Sequence, residues 1–193
     1  MRELEYPFDA EFILKKKKSL KRQLLEDSSK SFIEKKIAIL GGQTTENIKL
    51  MLELFLLNYG IKTSFYESEY NKYFEDGMFP NPELEEFAPD IIYVCTCVRS
   101  ISDFPVMSDD TETVTAKRQA IINKFTGLWD SLSQRYNCPI IQNNFEYPFF
   151  RLMGNKDASD SHGRVNFVTM LNCAFYDYAQ SHDNFYICDV NYI

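Results

Sequence analysis

Lys36-Ile37-Ala38-Ile39-Leu40-Gly41-Gly42-Gln43-Thr44-Thr45 is the stretch whose reading decides the fold. A short apolar run stops at two glycines, two threonines follow, and an apolar-periodic segment begins at Glu46. This is the pattern of a first strand, a tight turn and a helix N-terminus. In open α/β folds such a junction lies outside the carboxyl end of the strand, where ligands bind. The glycines would let a ligand approach the backbone. The helix N-terminus would offer free N–H groups to an anion or oxyanion.

Outward from this turn, strand and helix signals alternate. Glu46–Tyr59 carries Ile48, Met51, Leu52, Phe55 and Leu56 at helical spacing, and Gly60 stops it. Ile61–Tyr66 reads as the second strand. Weak helices follow near Asn71 and Glu83. Asp90–Cys95 is apolar on both faces, which suggests a central strand covered by helices on each side. Long helices are predicted from near Asp110 to Tyr136 and from about Gly163 to Ser181, with strands at Cys138–Gln142 and Phe185–Cys188. The expected architecture is a three-layer α/β fold with a flavodoxin-like, parallel five-stranded sheet. Ahead of it, residues 1–31 form a helical extension: Asp9 caps a charged helix whose apolar face is Phe12, Ile13, Leu20, Leu24 and Leu25. Lys15 to Lys18 read as a solvated basic face. Asp27–Ser31 is a polar joint, and residues 32–193 form the α/β domain. A doubly wound sheet is normally closed by one more helix after its last strand, so the domain is expected to lack its C-terminal end.

The 193 residues suffice for one such core, and 45% of them are hydrophobic. The net charge of −7 argues against general nucleic-acid binding. No apolar run approaches the roughly 18 residues that span a membrane. The N-terminus is not a signal peptide. Five cysteines without a Cys-x-x-Cys pair read as buried free thiols, and the protein is placed in the cytoplasm. No cofactor and no metal-binding spacing stand out.

Four loops should converge at the carboxyl edge of the sheet. Gly41, Gly42, Gln43, Thr44 and Thr45 could hold a phosphate or carboxylate, or Thr45 could simply cap the helix. Asn143 and Asn144 could donate to an oxyanion, or cap their own loop. Arg99, just past the central strand, could fork an anion or pair with Asp103 or Asp109. Ser161, Asp160 and His162 are too close in sequence to present a triad to one point. His162 reads as part of a helix-entry loop, and His182 complements the dipole of the helix it follows.

Several segments occur together in order: Gly41–Thr45, Tyr66-Glu67-Ser68-Glu69-Tyr70, Phe79-Pro80-Asn81-Pro82-Glu83-Leu84, Pro89-Asp90-Ile91-Ile92, Gln142-Asn143-Asn144-Phe145-Glu146, Arg151-Leu152-Met153-Gly154-Asn155 and Asp189-Val190-Asn191-Tyr192. From about residue 12 onward the set resembles the N-terminal domain of FkbH-like proteins. The resemblance implies an SGNH-hydrolase-like fold followed by a phosphatase-like domain of the haloacid dehalogenase (HAD) superfamily. It implies handling of a glyceryl unit from a phosphorylated three-carbon donor, delivered as a thioester on an acyl carrier protein. The implied partners are that carrier protein or the downstream HAD-like domain. The Asp-x-Asp signature of the phosphatase chemistry does not occur in this sequence.

The SGNH pattern transfers in part. Gly41 and Thr45 match the first block, Gly42 stands where its aspartate would be, and Gln43 stands where its nucleophilic serine would be. Asn144 matches the oxyanion asparagine of the third block. The glycine of the second block has no match near Thr96–Arg99, and the Asp-x-x-His block would lie past Ile193. An amide cannot form an acyl intermediate. Thr44 is a conceivable replacement nucleophile. The two readings are an acyl- or glyceryl-transfer domain degenerate at its nucleophile, with an esterase- or acyltransferase-like fold but no evident Ser-His-Asp triad, and a non-catalytic module that binds a ligand or partner.

Overall fold

The structure, a computed structural model, describes residues 1–27 and 31–192. Most of the joint read at Asp27–Ser31 therefore falls outside the described residues. Five parallel strands form one sheet: β1 (Ile33–Gly41), β2 (Ile61–Glu67), β3 (Ile91–Cys95), β4 (Ile140–Asn143) and β5 (Phe185–Cys188). Their order is β2-β1-β3-β4-β5, the expected flavodoxin-like arrangement. The helices are α1 (Ala10–Glu26), α2 (Glu46–Asn58), α3 (Tyr73–Met78), α4 (Pro82–Phe87), α5 (Thr111–Arg135) and α6 (Arg164–Ser181). Among the described residues, no helix is long and apolar enough to cross a membrane.

Strand β1 begins earlier than its apolar run. Ile33–Lys36 pair only with β2, because β3 joins at Ile37. With one neighbour there, the strand carries charges that pair locally, Glu34 with Lys62 and Lys35 with Asp90. From Ile37 to Gly41 every residue is buried. Helix α2 ends as read: Gly60 adopts φ of 79°, and its N–H reaches Leu57 O at 3.0 Å. Only a residue without Cβ takes that conformation without strain.

The two faces of the sheet are unequal. On one, Ala38, Leu40, Ile92, Val94 and Ile140 pack against α3, α5 and α6 around Phe125, Trp129, Phe145 and Phe175. The Phe125 ring lies 5.1 Å from Phe175 and 5.5 Å from Phe145, within the range where aromatic pairs add to simple burial. On the other face, Ile37 and Ile39 meet α2, and α1 packs on α2 through Ile13, Leu20 and Leu24 against Leu54 and Leu57. Asp9 caps α1, accepting from Phe12 N at 3.0 Å. Phe12 and Leu25, read as part of the apolar face, are exposed instead.

Helices lie on both sides of the sheet, as expected, but beside α2 the β3 residues Ile91 and Tyr93 are only partly buried and line an open trough. One expectation is corrected. The cysteines are not uniformly buried: Cys95 and Cys97 are, while Cys173 and Cys188 are exposed.

Phe125 touches four other aromatic rings and is fully buried. Phe125→Ala is expected to cost about 3–5 kcal/mol of unfolding free energy, read as a lowered urea midpoint at unchanged m-value.

Candidate functional site

The loops after β1, β3 and β4 meet at the carboxyl edge of the sheet, around a pocket of about 210 Å³. Its wall includes Gln43, Ile48, Cys95, Thr96, Cys97, Asn143 and Glu146. Gln43 is half-buried and its amide Nε2 lies 3.6 Å from Cys95 Sγ.

The floor is set by a buried polar network. Asn143 accepts from Thr96 N at 2.7 Å and donates Nδ2 to Thr96 O at 2.5 Å. Gln142 Nε2 donates to Thr96 Oγ1 at 3.0 Å, and its Oε1 accepts from Trp129 Nε1 at 3.0 Å. Thr96, Gln142 and Asn143 are nearly fully buried, so each polar group needs a protein partner. Above them Glu146 accepts Val98 N with both carboxylate oxygens at 3.1 Å.

The glycine turn serves packing before it serves any ligand. A Cβ on Gly42 would come 2.8 Å from Ser100 Oγ and 3.3 Å from Thr96 Cγ2. The space next to Gly42 is thus filled by the loop after β3. Gly41 N donates to Ser68 Oγ at 2.8 Å, and Gly42 N donates to Cys95 O at 2.9 Å. Thr45 does not cap α2. Its hydroxyl donates to Glu67 Oε2 at 2.7 Å, while Lys49 Nζ reaches Glu67 Oε1 at 3.0 Å. Burial works against the charge on Glu67, but Thr45 and Lys49 hold its carboxyl below the usual carboxylate range. A carboxylate of the protein itself therefore stands beside the first turn of α2.

Of the residues read from sequence, Gln43 and Asn143 come together in the pocket wall. Thr44 and Arg99 are exposed and lie outside that wall. Lys117, not Arg99, pairs with Asp103 and Asp109. Asn144 is fully buried and fully engaged: Nδ2 donates to Tyr176 Oη at 2.7 Å and Asp189 Oδ1 at 2.6 Å, and Oδ1 accepts Val190 N at 2.8 Å. Its amide holds the segment after β5 rather than facing the pocket.

Sequence reading missed Cys95, Cys97 and Glu146 as wall residues. Their place at the ends of β3 and β4, the same edge as the glycine turn, is the signal that could have found them. Burial pushes the Cys95 thiol up, against its hydrogen bonds from Gln43 and Tyr93. A protonated thiol is a poor nucleophile.

Neither histidine lines the pocket. His162 Nδ1 meets Asp160 Oδ1 at 2.8 Å and Nε2 meets Asp109 O at 2.9 Å, so the ring clamps the α6 entry loop to the loop before α5. Asp157, fully buried, accepts Val165 N at 2.7 Å and caps α6 from six residues before its N-cap, Gly163. His182 stacks on Tyr178 with centroids 3.7 Å apart and bonds the Tyr178 carbonyl, as expected at a helix C-terminus. Asn81, in the Phe79–Leu84 segment, caps α4 and donates to Tyr66 Oη and Asp76. Burial and then Asp76 push the Tyr66 phenol up to about 12. That segment is structural.

The family described as FkbH, N-terminal domain, matches residues 36–193, from the middle of β1 past β5. The chain belongs to this family. No curated protein matches it. A solved structure, the N-terminal part of the protein BF1531 from Bacteroides fragilis, containing a phosphatase domain and complexed with Mg, has a similar fold. The TM-score is 0.73 at 18% identity, over 91% of this chain and 45% of that one. The present chain thus spans less than half the length of that neighbour.

Two outcomes are expected. Asn143→Ala leaves the buried Thr96 N–H and C=O without their partners and costs about 1–3 kcal/mol per orphaned group, measured by urea unfolding. His162 titrates above the usual imidazole range, because the Asp109 carbonyl and then Asp160 favour its protonated form. Its clamp therefore stabilises fully below the unfolded-state value and fades as pH rises through the folded-state value. The stability gap between wild type and His162→Gln should be widest below pH 6.5 and shrink above it.

Proposed function

We propose that this domain holds a small hydroxylated acyl unit, a glyceryl group on a carrier thioester, without cleaving it. The supporting observation is that Gln43, an amide, occupies the pocket wall at the end of β1 opposite the Asn143–Thr96 lock. In an esterase of this layout a serine with a histidine partner would stand there. Here both histidines are engaged elsewhere, and the pocket thiol Cys95 is held protonated.

The pocket chemistry favours hydroxyls over phosphate. Glu146 lines the wall, and a carboxylate repels an incoming phosphate while accepting hydrogen bonds from a diol. Glu67 beside α2 has the same effect on the helix N-terminus. A volume of about 210 Å³ suits a three-carbon unit, since one water occupies roughly 30 Å³. The phosphate of a phosphorylated donor would be removed elsewhere, by a HAD-like domain, and the carrier would present the glyceryl group to this edge. The catalytic reading, with Thr44 as nucleophile, gains no support from the geometry, because Thr44 is exposed and not part of the wall that Gln43 lines.

The test pairs turnover with binding. The protein is incubated with p-nitrophenyl acetate and with glyceryl thioesters of pantetheine and of an acyl carrier protein. The expected result is no hydrolysis, and a rise in melting temperature with the glyceryl thioester that is lost in Gln43→Ala and absent with 3-phosphoglycerate. Turnover abolished by Thr44→Ala would establish the transferase or esterase reading instead.

A further inference from the structure

A trough of about 680 Å³ lies on the α2 side of the sheet, within the volume range of ordinary small-molecule sites. Its floor is Ile91 and Tyr93 of β3, Ile141 of β4 and Cys188 of β5, and no charged residue is among the described residues that line it. Helix α2 forms one bank, from Ile48 to Leu56. The trough has a direction. Ile91 starts β3, so that end lies toward the amino edge of the sheet. At the other end Ile48 and Tyr93 also line the small pocket, beside Gln43 and Glu146. An uncharged trough therefore runs along α2 into a polar pocket.

Two cavities of opposite character that share a wall fit one amphiphile. We propose that they bind an acylated glyceryl group, with its hydroxyls in the pocket and an unbranched acyl chain along the trough. The proposal rests on the reading that the pocket holds a small hydroxylated unit. Gln43 Nε2 makes a long 3.6 Å contact to Cys95 Sγ, and a ligand hydroxyl is a stronger partner for it. Glu146 accepts Val98 N with both oxygens and keeps lone pairs for a diol. A fatty-acid carboxylate in the same place would be repelled by Glu146.

The trough itself selects hydrocarbon. An extended peptide or a pantetheine arm would bring amide groups that an apolar floor leaves without partners. An acyl chain brings none. Its length is set by α2. From Ile48 to Leu56 the helix rises about 12 Å. An extended chain advances about 1.2 Å per bond, so the trough takes about ten carbons.

Binding of monoacylglycerols from acetyl to tetradecanoyl, each below its micelle-forming concentration, is measured by calorimetry. Affinity is expected to rise about two- to fourfold for each added methylene and to level off near ten carbons. Monodecanoylglycerol should bind about tenfold more tightly than decanoate, and Gln43→Ala should weaken it about tenfold. Iodoacetamide labelling locates the chain. Monodecanoylglycerol should slow Cys188, which lines the trough, and leave Cys173, on α6 across the sheet, unchanged. Ile141→Asp puts a charge on the trough floor and should weaken monodecanoylglycerol about tenfold without altering the response to the glyceryl thioester. The ligand series on the unmodified protein decides the matter even where that variant misfolds. Stabilisation by the glyceryl thioester, with no gain on lengthening the acylglycerol chain, would overturn the proposal and leave the pocket reading standing. Equal affinities for monodecanoylglycerol and decanoate would overturn the placement of the head, and the proposal with it. So would Cys188 protection that grows with protein concentration in the absence of ligand, since that is a second copy on the same face. A glyceryl thioester that gives no thermal shift would overturn the pocket reading and this proposal together.

Discussion

Asn143 bonding both backbone groups of Thr96 is the constraint on which the candidate site depends. It joins the ends of β3 and β4 at the depth where the sheet stops and the loops begin. Buried amides of this kind are costly when unpaired and specific when paired, because few alternative geometries satisfy every donor and acceptor. With Thr96 fixed, the short turn at Val98–Ser100 has one position, and Glu146 closes it from the next loop by taking Val98 N. A side chain at position 42 would then press on Ser100 and Thr96, which already occupy the space beside it. The pocket is the gap these contacts leave.

The same logic separates the two asparagines. Adjacent strand residues point to opposite sides. Asn143 faces the loop after β3, and Asn144 faces α6 and the segment after β5. One amide positions the pocket wall, and the other anchors the chain as it leaves the sheet. The anchoring asparagine holds Val190 in the pocket wall. Pocket and trough are thus neighbours, sharing Ile48 and Tyr93.

Much of this was readable in the residues. The alternation of apolar runs with helical periodicity fixed five strands, the long helices and their order, because each of those signals is local and repeated. The amide at Gln43 was also readable, since it needs only residue identity at a turn. What misled were features whose meaning depends on neighbours. Thr45 next to a helix start looks like a cap, yet Glu67, brought close by the β1–β2 pairing, takes its hydroxyl. Asn144 looks like an oxyanion donor until Tyr176 and Asp189 arrive from distant parts of the chain. Phe12 belongs to an apolar helix by composition but lies exposed, because α1 meets α2 through Ile13 instead.

Sequence by itself determined the class of fold, the turn at Gly41–Thr45 and an amide rather than a hydroxyl at Gln43, all of which follow from short-range pattern and side-chain chemistry. Tertiary structure alone decided which polar groups remain free. Glu146 and Cys95 became pocket residues, and Asn144, Thr45 and His162 became fastenings, because hydrogen-bond partners are assigned by proximity in space. It also revealed that β3, apolar on both sides, is covered fully on one and only partly on the other. An apolar strand records that both faces avoid water, but not which part of a polypeptide keeps the water away.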